Sequence, residues 1–169
     1  GDVTEDDLKC TSEDTIIYDK DGNEIANVSG DEKRRPVLLS EVPQYLKDAY
    51  ISIEDERFYS HNGVDIKRTV ASTIRYILNR GNSSAGGGST ITQQTVKNSF
   101  KDKSDSGFAG VERKIREISR AYKLEKLLSK DQILELYLNL IFLGQDVYGV
   151  QLGATYYFNK SVGDLDLAE

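Results

Sequence analysis

The chain has 169 residues, 30% charged and 38% apolar, with a formal charge of -6. That is one domain with room for a real core, and a balance that excludes a general nucleic-acid surface, which needs concentrated Lys and Arg. No apolar run reaches the ~18 residues that crossing a bilayer requires, no signal-peptide pattern opens the chain, and methionine is absent. The chain therefore reads as an excised or processed piece, and the lack of an anchor in it says little about the parent protein. The single cysteine, Cys10, can make no internal disulfide, and one Cys with one His cannot furnish a structural zinc site, so no metal-ligating residues are expected.

Residues 1–14 are acidic and polar and read as a lead-in or tether, with the domain proper over 15–169. "IIYDKDGNEIANV" places two β-prone runs on either side of Asp21-Gly22, a strong hairpin signal. A helix is then expected with Ser40 as cap, Pro43 in the first turn and Tyr45, Leu46, Ala49, Tyr50 and Ile53 as its apolar stripe, ending near Glu54. A second follows Asp65 as N-cap, with Ile66, Val70, Ile74, Ile77 and Leu78 on one face, and "NRGNSSAGGG" breaks it. A third runs from about Thr90 to Asn98, with Ser89 where its cap should be. The fourth carries Val111, Ile115, Ile118 and Tyr122 at helical spacing. Ser129 and Gln132 form a capping box for a fifth, "ILELYLNLIFLG", apolar nearly all round and so buried. The last holds "VYGVQLGATYYF", whose Gly149 and Gly153 suit close helix packing. The fold class is mainly α, with one small N-terminal β-hairpin.

Three stretches carry chemistry. "EDERFYSHNG" gathers Glu54, Asp55, Glu56, Arg57 and the only histidine, His61, at a helix end, where acidic groups oppose the macrodipole. Crowded carboxylates suit a general base, although a solvated acidic helix end explains the pattern as well. In "GGGSTITQQTVKN" the glycines admit close backbone approach and the free amides of a first helical turn form an anion site. Thr90, Gln94 and Lys97 fall at i, i+4 and i+7, one face bearing a hydroxyl, an amide and an ammonium; the alternative is a solvated polar face after a Gly-rich linker. In "VERKIREISR", Arg113 and Glu117 are i, i+4 partners beside Lys114 and Arg120, which by itself is an ordinary surface ladder. Together they supply two carboxylates, an anion-binding helix start and several cations, equipment for expelling a phosphate leaving group from a sugar or alcohol.

In that order, "EDERFYSHNGVD", "GGSTITQQTVKN", "RKIRE", "KDQILELYLNLIFLG" and "GVQLGATYYFNKS" resemble the signature stretches of the family 51 glycosyltransferases, the peptidoglycan polymerase domain of class A penicillin-binding proteins and of monofunctional transglycosylases. The resemblance spans roughly Tyr18 to Glu169. It implies a lysozyme-like helical domain at the extracytoplasmic face of the bacterial membrane that polymerises lipid II into β-1,4 glycan strands, inverting the anomeric carbon and releasing undecaprenyl pyrophosphate. Carried onto this sequence, it implies that Glu54 is the catalytic base and that Glu117 assists. It assigns Asp55, Phe58 and His61 to the walls of the donor and acceptor sites, and Ser89, Thr90, Gln94, Lys97, Arg113, Lys114 and Lys160 to the pyrophosphate.

The same resemblance implies Mg²⁺ or Mn²⁺ on the substrate pyrophosphate without an all-protein cage, inhibition by moenomycin-type phosphoglycolipids, and participation in a cell-wall synthesis complex. It also implies a membrane-facing lip in "IKRTVASTIRYILNRGNSSAGG", with Lys67, Arg68, Arg75 and Arg80 meeting anionic headgroups. Family members usually continue beyond the helix before "DLDLAE", so the domain is expected to be cut short here. A lytic glycosidase of lysozyme type shares the expected fold and a catalytic glutamate but has no task for phosphate-directed cations. A non-catalytic lipid II-binding module would not need both carboxylates.

Overall fold

The computed structural model describes residues 15–18, 24–28, 33–69, 71, 88–100 and 108–169. Strand β1 (Thr15–Tyr18) pairs antiparallel with β2 (Glu24–Val28), Thr15 opposite Val28, with an irregularity between Ile17 and Tyr18. These are the two arms of the expected hairpin; its Asp21-Gly22 turn and the lead-in 1–14 lie outside the described residues. Unforeseen from sequence is a second small sheet, in which β3 (Lys33–Arg34) runs parallel to β4 (Val147–Tyr148) and so ties the two ends of the domain together.

After a 3-10 turn at Leu39–Glu41, helix α1 covers Gln44–Glu54. It starts later than a Ser40 cap would require. Val42 precedes a proline and is held extended (φ -82°, ψ 126°), which strands Ser40 in the 3-10 turn and leaves Pro43 at the N-cap rather than in the first turn. Of the expected stripe, Leu46 and Tyr50 pack on the core together with Ile51, whereas Ile53 is 75% exposed. The helix lies along the edge of the domain and buries none of its residues completely. The next helix opens where expected: Asp65 Oδ1 accepts the Arg68 amide (3.0 Å) and Asp65 O accepts the Thr69 hydroxyl (2.8 Å). Residues 66–69 form its first turn, and Val70, Ile74, Ile77 and Leu78 fall outside the described residues.

Helix α2 (Ile91–Phe100) packs against both α3 (Phe108–Leu127) and α4 (Lys130–Leu140), and this three-helix contact is the centre of the domain. It buries Ile91, Thr92, Gln93, Thr95 and Val96; Thr95 Oγ1 donates within the helix to Ile91 O (2.9 Å), and Thr92 Oγ1 donates across to Glu125 Oε1 on α3 (2.6 Å). The expected capping box starts α4, where Gln132 N donates to Ser129 Oγ (3.3 Å) and Ser129 N to Gln132 Oε1 (2.8 Å). Ile133, Leu134 and Leu138 are fully enclosed, each contributing about 1.5–3 kcal/mol by leaving water.

Helix α3 is rotated from the orientation its apolar spacing suggests. Ile115 is 62% and Tyr122 40% exposed, while Glu117, Ala121 and Leu124 are buried with Ile118 packed beside them; the Val111 side chain is not among those described. The cause is a close backbone approach: Gly63, at φ +85°, sits where a Cβ would be 2.9 Å from Ala121 O, so α3 docks through its small residue rather than its large ones.

At the C-terminal end, Gly149 adopts φ +82° and lies so close to Asn139 that a Cβ would be 2.9 Å from its carbonyl oxygen. Val147 and Tyr148, expected inside the last helix, therefore form β4, and α5 begins one residue after the glycine (Val150–Phe158). At Gly153 a Cβ would lie 2.5 Å from the Leu143 Cδ1, so this glycine makes room for a side chain, where Gly149 makes room for a backbone. The architecture is mainly helical, as the resemblance to a lysozyme-like domain implied.

The buried Asn139 side chain holds the entering segment against α4: its Oδ1 accepts from Val37 N and its Nδ2 donates to Val37 O, both at 2.9 Å. Asn139→Ala strands both main-chain groups and should lower stability by roughly 1–3 kcal/mol, read as a lower urea midpoint. An unchanged midpoint would mean that this side chain does not hold residues 35–38 in place.

Candidate active site

Glu54 is the last residue of α1, and its carboxylate faces α2, where Gln94 Nε2 donates to Glu54 Oε2 at 2.7 Å. Among the described residues, Oε1 has no hydrogen-bond partner. One oxygen is thus oriented and the other left open, the condition a general base needs. Behind it stand Tyr50 and Tyr137, edge to face at 5.9 Å. Burial, with a smaller contribution from the Glu54 charge, pushes the Tyr50 phenol up to about 12 and raises Tyr137 as well. Both phenols are therefore protonated at neutral pH and form an uncharged wall.

The next residue, Asp55, has no exposed surface. Its carboxylate takes His61 Nε2 on both oxygens (3.0 and 2.9 Å) and accepts the Ile91 amide at the start of α2 (3.0 Å). A buried carboxylate at a helix N-terminus is favourably placed. The His61 ring is itself mostly enclosed, and its Nδ1 has no hydrogen-bond partner among the described residues. Phe58 is fully buried with the Lys130 ammonium 4.5 Å from its ring centre. Asp55 and Phe58 thus offer no surface to a ligand; what they do, they do through the groups they hold.

Ser89 and Thr90 exchange the roles expected of them. The cap of α2 is Thr90, whose Oγ1 accepts the Gln93 amide (3.1 Å) and donates to Gly63 O (2.6 Å), while Gln93 Oε1 returns to Thr90 N (3.0 Å). Thr90 is fully buried, so its hydroxyl does not share an outward face with Gln94 and Lys97. Ser89 is half-exposed and its hydroxyl accepts from Lys114 Nζ (2.9 Å). A capping-box signature, Thr90 with Gln93 three residues on, was present in the sequence and outranks Ser89.

Helix α3 presents Arg113, Lys114 and Glu117. The Glu117 carboxylate, almost wholly buried, is held by Lys114 Nζ on one oxygen and by Arg113 Nη1 on the other (3.4 Å). Arg113 Nε is buried without a hydrogen-bond partner among the described residues, a donor left over inside the cluster. Lys97, exposed in the last turn of α2, lines a small cavity between the helices with Phe100, Arg113, Glu117 and Arg120. The arrangement sets a ridge of cations around a buried carboxylate, with Lys97 three residues along α2 from the Gln94 that holds Glu54. Lys160 follows the left-handed Asn159, and its ammonium binds Glu169 at 2.6 and 2.7 Å. Among the described residues no group of three or more His, Cys, Asp or Glu side chains could hold a metal ion.

Arg68 was expected to reach headgroups, but its guanidinium turns inward and donates to the main-chain oxygen of Glu54. Arg57, likewise, pairs with Asp65 (2.7 Å). Burial pushes the Asp65 carboxyl up, but the Arg68 amide and the Arg57 guanidinium more than offset it and hold it below its ordinary value. Lys67 is exposed, and Arg75 and Arg80 lie outside the described residues.

The chain matches the transglycosylase family over residues 21–169 and belongs to it. It is 45% identical to penicillin-binding protein 1A of Clostridium perfringens strain 13 over 96% of this chain and 24% of that protein. It is 44% identical to penicillin-binding protein 1F of Bacillus subtilis strain 168, over 90% of this chain and 20% of that one. A third relative, penicillin-binding protein 1A of Neisseria flavescens, is 46% identical over 90% of this chain and 18% of its own length. The chain thus spans about a quarter or less of these relatives. No helix among the described residues is long and apolar enough to cross a membrane.

Because the Asp65 carboxyl is held low in the folded state, its ionised form stabilises the fold fully above the ordinary value of 3.8, and that contribution fades as pH falls through the folded value. Asp65→Asn keeps a capping oxygen but loses the ion pair. Its melting temperature should lie below wild type at neutral pH, and the two should converge below pH 3.8. A gap independent of pH would mean that the charge contributes nothing.

Proposed function

We propose that this chain is a peptidoglycan glycosyltransferase domain that joins lipid II units into β-1,4 glycan strands. The observation that carries the reading is the pairing of Glu54, held through one oxygen by Gln94, with a cationic ridge of Lys97, Arg113 and Lys114 around buried Glu117. Glu54 takes the proton from the 4-hydroxyl of the acceptor sugar, and that oxygen attacks the anomeric carbon of the growing strand from the side opposite its leaving group. The bond from that carbon to the pyrophosphate oxygen breaks, the configuration inverts, and undecaprenyl pyrophosphate leaves with the bonding electrons. Lys97, Arg113 and Lys114 neutralise the charge that develops on it, which is where preformed electrostatics lower a barrier most. Glu117 keeps two of those cations in place, and Glu54 returns its proton to solvent.

Mg²⁺ or Mn²⁺ is proposed to ride on the substrate's own pyrophosphate. The described residues offer no ligand cluster for it, and Glu117 is already engaged by two cations, so no step is routed through a metal. We place the reaction at the extracytoplasmic membrane surface, where the substrate's lipid tail would hold it, and within a cell-wall synthesis complex; a moenomycin-type phosphoglycolipid is the inhibitor this ridge would accept. Hydrolysis of glycan by a lytic enzyme releases no phosphate and would leave the same cations without a task.

Polymerisation of labelled lipid II in detergent with Mg²⁺ tests the reading. Glu54→Gln should lower the rate by about 10²–10⁴-fold, the usual contribution of general base catalysis. Lys97→Ala and Arg113→Ala should raise KM and lower kcat together, because ground-state binding and departure of the pyrophosphate use the same charges. Undiminished polymerisation by Glu54→Gln would remove the base assignment; glycan shortening in place of growth would move the lytic reading ahead.

A further inference from the structure

Glu54 occupies the C-terminal residue of α1, where main-chain carbonyls lack helical partners and the dipole disfavours negative charge. Three acidic residues in a row, Glu54, Asp55 and Glu56, make that end worse electrostatically. The structure brings in a compensating cation from 14 residues further along the chain: Arg68 Nη1 donates to Glu54 O. Arg68 is itself aimed by Asp65, which caps its amide (3.0 Å) and is pinned in turn by Arg57 (2.7 Å), a residue of the turn that directly follows α1. The chain leaves α1, turns through Arg57, is fixed at Asp65 and returns a guanidinium to the residue that carries the base. The side chain of that residue is held separately, by Gln94.

We propose that Arg68 is a positioning residue for the base: it locks the main chain of Glu54 from behind while Gln94 orients the carboxylate from in front, so that the open oxygen points at the acceptor hydroxyl. The inference rests on Glu54 being the base. Two separately anchored supports restrain both ends of a side chain that would otherwise swing at a fraying helix end. A displacement of the order of 1 Å at a catalytic group can cost about 10²-fold in rate. A charged partner is needed for a specific reason. It satisfies the last carbonyl and counters the dipole, which a neutral side chain of the same length cannot do.

The test uses lipid II polymerisation by the chain carrying Arg68→Met or Arg68→Lys, with Glu54→Gln alongside and thermal unfolding of each. Arg68→Met should lower kcat by about 10- to 100-fold. Its KM should stay within about twofold, since Arg68 does not touch substrate. Arg68→Lys, which can still present one charged donor to the carbonyl, should recover most of the rate. If Arg68→Met keeps the wild-type kcat while Glu54→Gln is inactive, the positioning role is wrong and the base reading stands. A rise in KM at constant kcat would instead make Arg68 a substrate-binding cation. Loss of kcat in step with a fall in melting temperature, with no rescue by lysine, would reduce it to a structural contact. Full activity in Glu54→Gln would remove the reading on which the proposal rests, whatever Arg68 does.

Discussion

A carboxylate with no access to water, Asp55, sits where α1 ends and α2 begins, and the arrangement of the site depends on how it is satisfied. Burying an unpaired charge costs far more than a small domain can spare, so its oxygens must be met by donors, and they are met by the His61 ring and the Ile91 amide. Those two partners belong to different parts of the chain. Through them the end of α1, the 3-10 turn that follows it and the first turn of α2 are held in one register. Once that junction is set, Gln94 lies one turn into α2, opposite Glu54, and the two meet at 2.7 Å. Glu54 is therefore positioned by a neighbour, Asp55, that has no exposed surface of its own.

The second half of the site follows from how α3 docks. Its contact with the Gly63 backbone through Ala121 turns Glu117 toward the interior and leaves Ile115 and Tyr122 in solvent. A glutamate so enclosed needs cations within reach, and Arg113 and Lys114, one turn earlier on the same helix, supply them. Lys114 also reaches the Ser89 hydroxyl, which joins the cation ridge to the approach of α2. An ion-pair ladder that would be worth a few tenths of a kcal/mol per pair on an open helix face becomes, in this position, a preformed positive surface around a buried carboxylate.

Much of this was legible in the sequence wherever the determining interaction is local. Asp65 caps its turn and Ser129 with Gln132 begins α4 because each rests on hydrogen bonds to amides three residues away. The same logic explains the failure at Ser89: Thr90 and Gln93 form the stronger local box, and the hydroxyl read as a ligand contact is used up inside the protein. The α3 face was misread for a different reason. Apolar spacing favours large side chains, whereas the helix is docked by the smallest one, where two backbones come together. Lys160 reads as a member of the basic set, and after the turn at Asn159 its ammonium meets Glu169.

The sequence alone determined the mainly helical class, the place of Glu54 at the end of a helix, the helix starts at Asp65 and Ser129, and the order of carboxylates and cations along the chain, because propensities and caps act over a few residues. Only the tertiary structure decided which of those groups meet. Gln94 and Glu54 are 40 residues apart, and Arg68 reaches back to the main chain of Glu54 across 14. Such pairings have no local signature. They exist because a buried aspartate and two glycine-backed contacts leave the helices one way to pack.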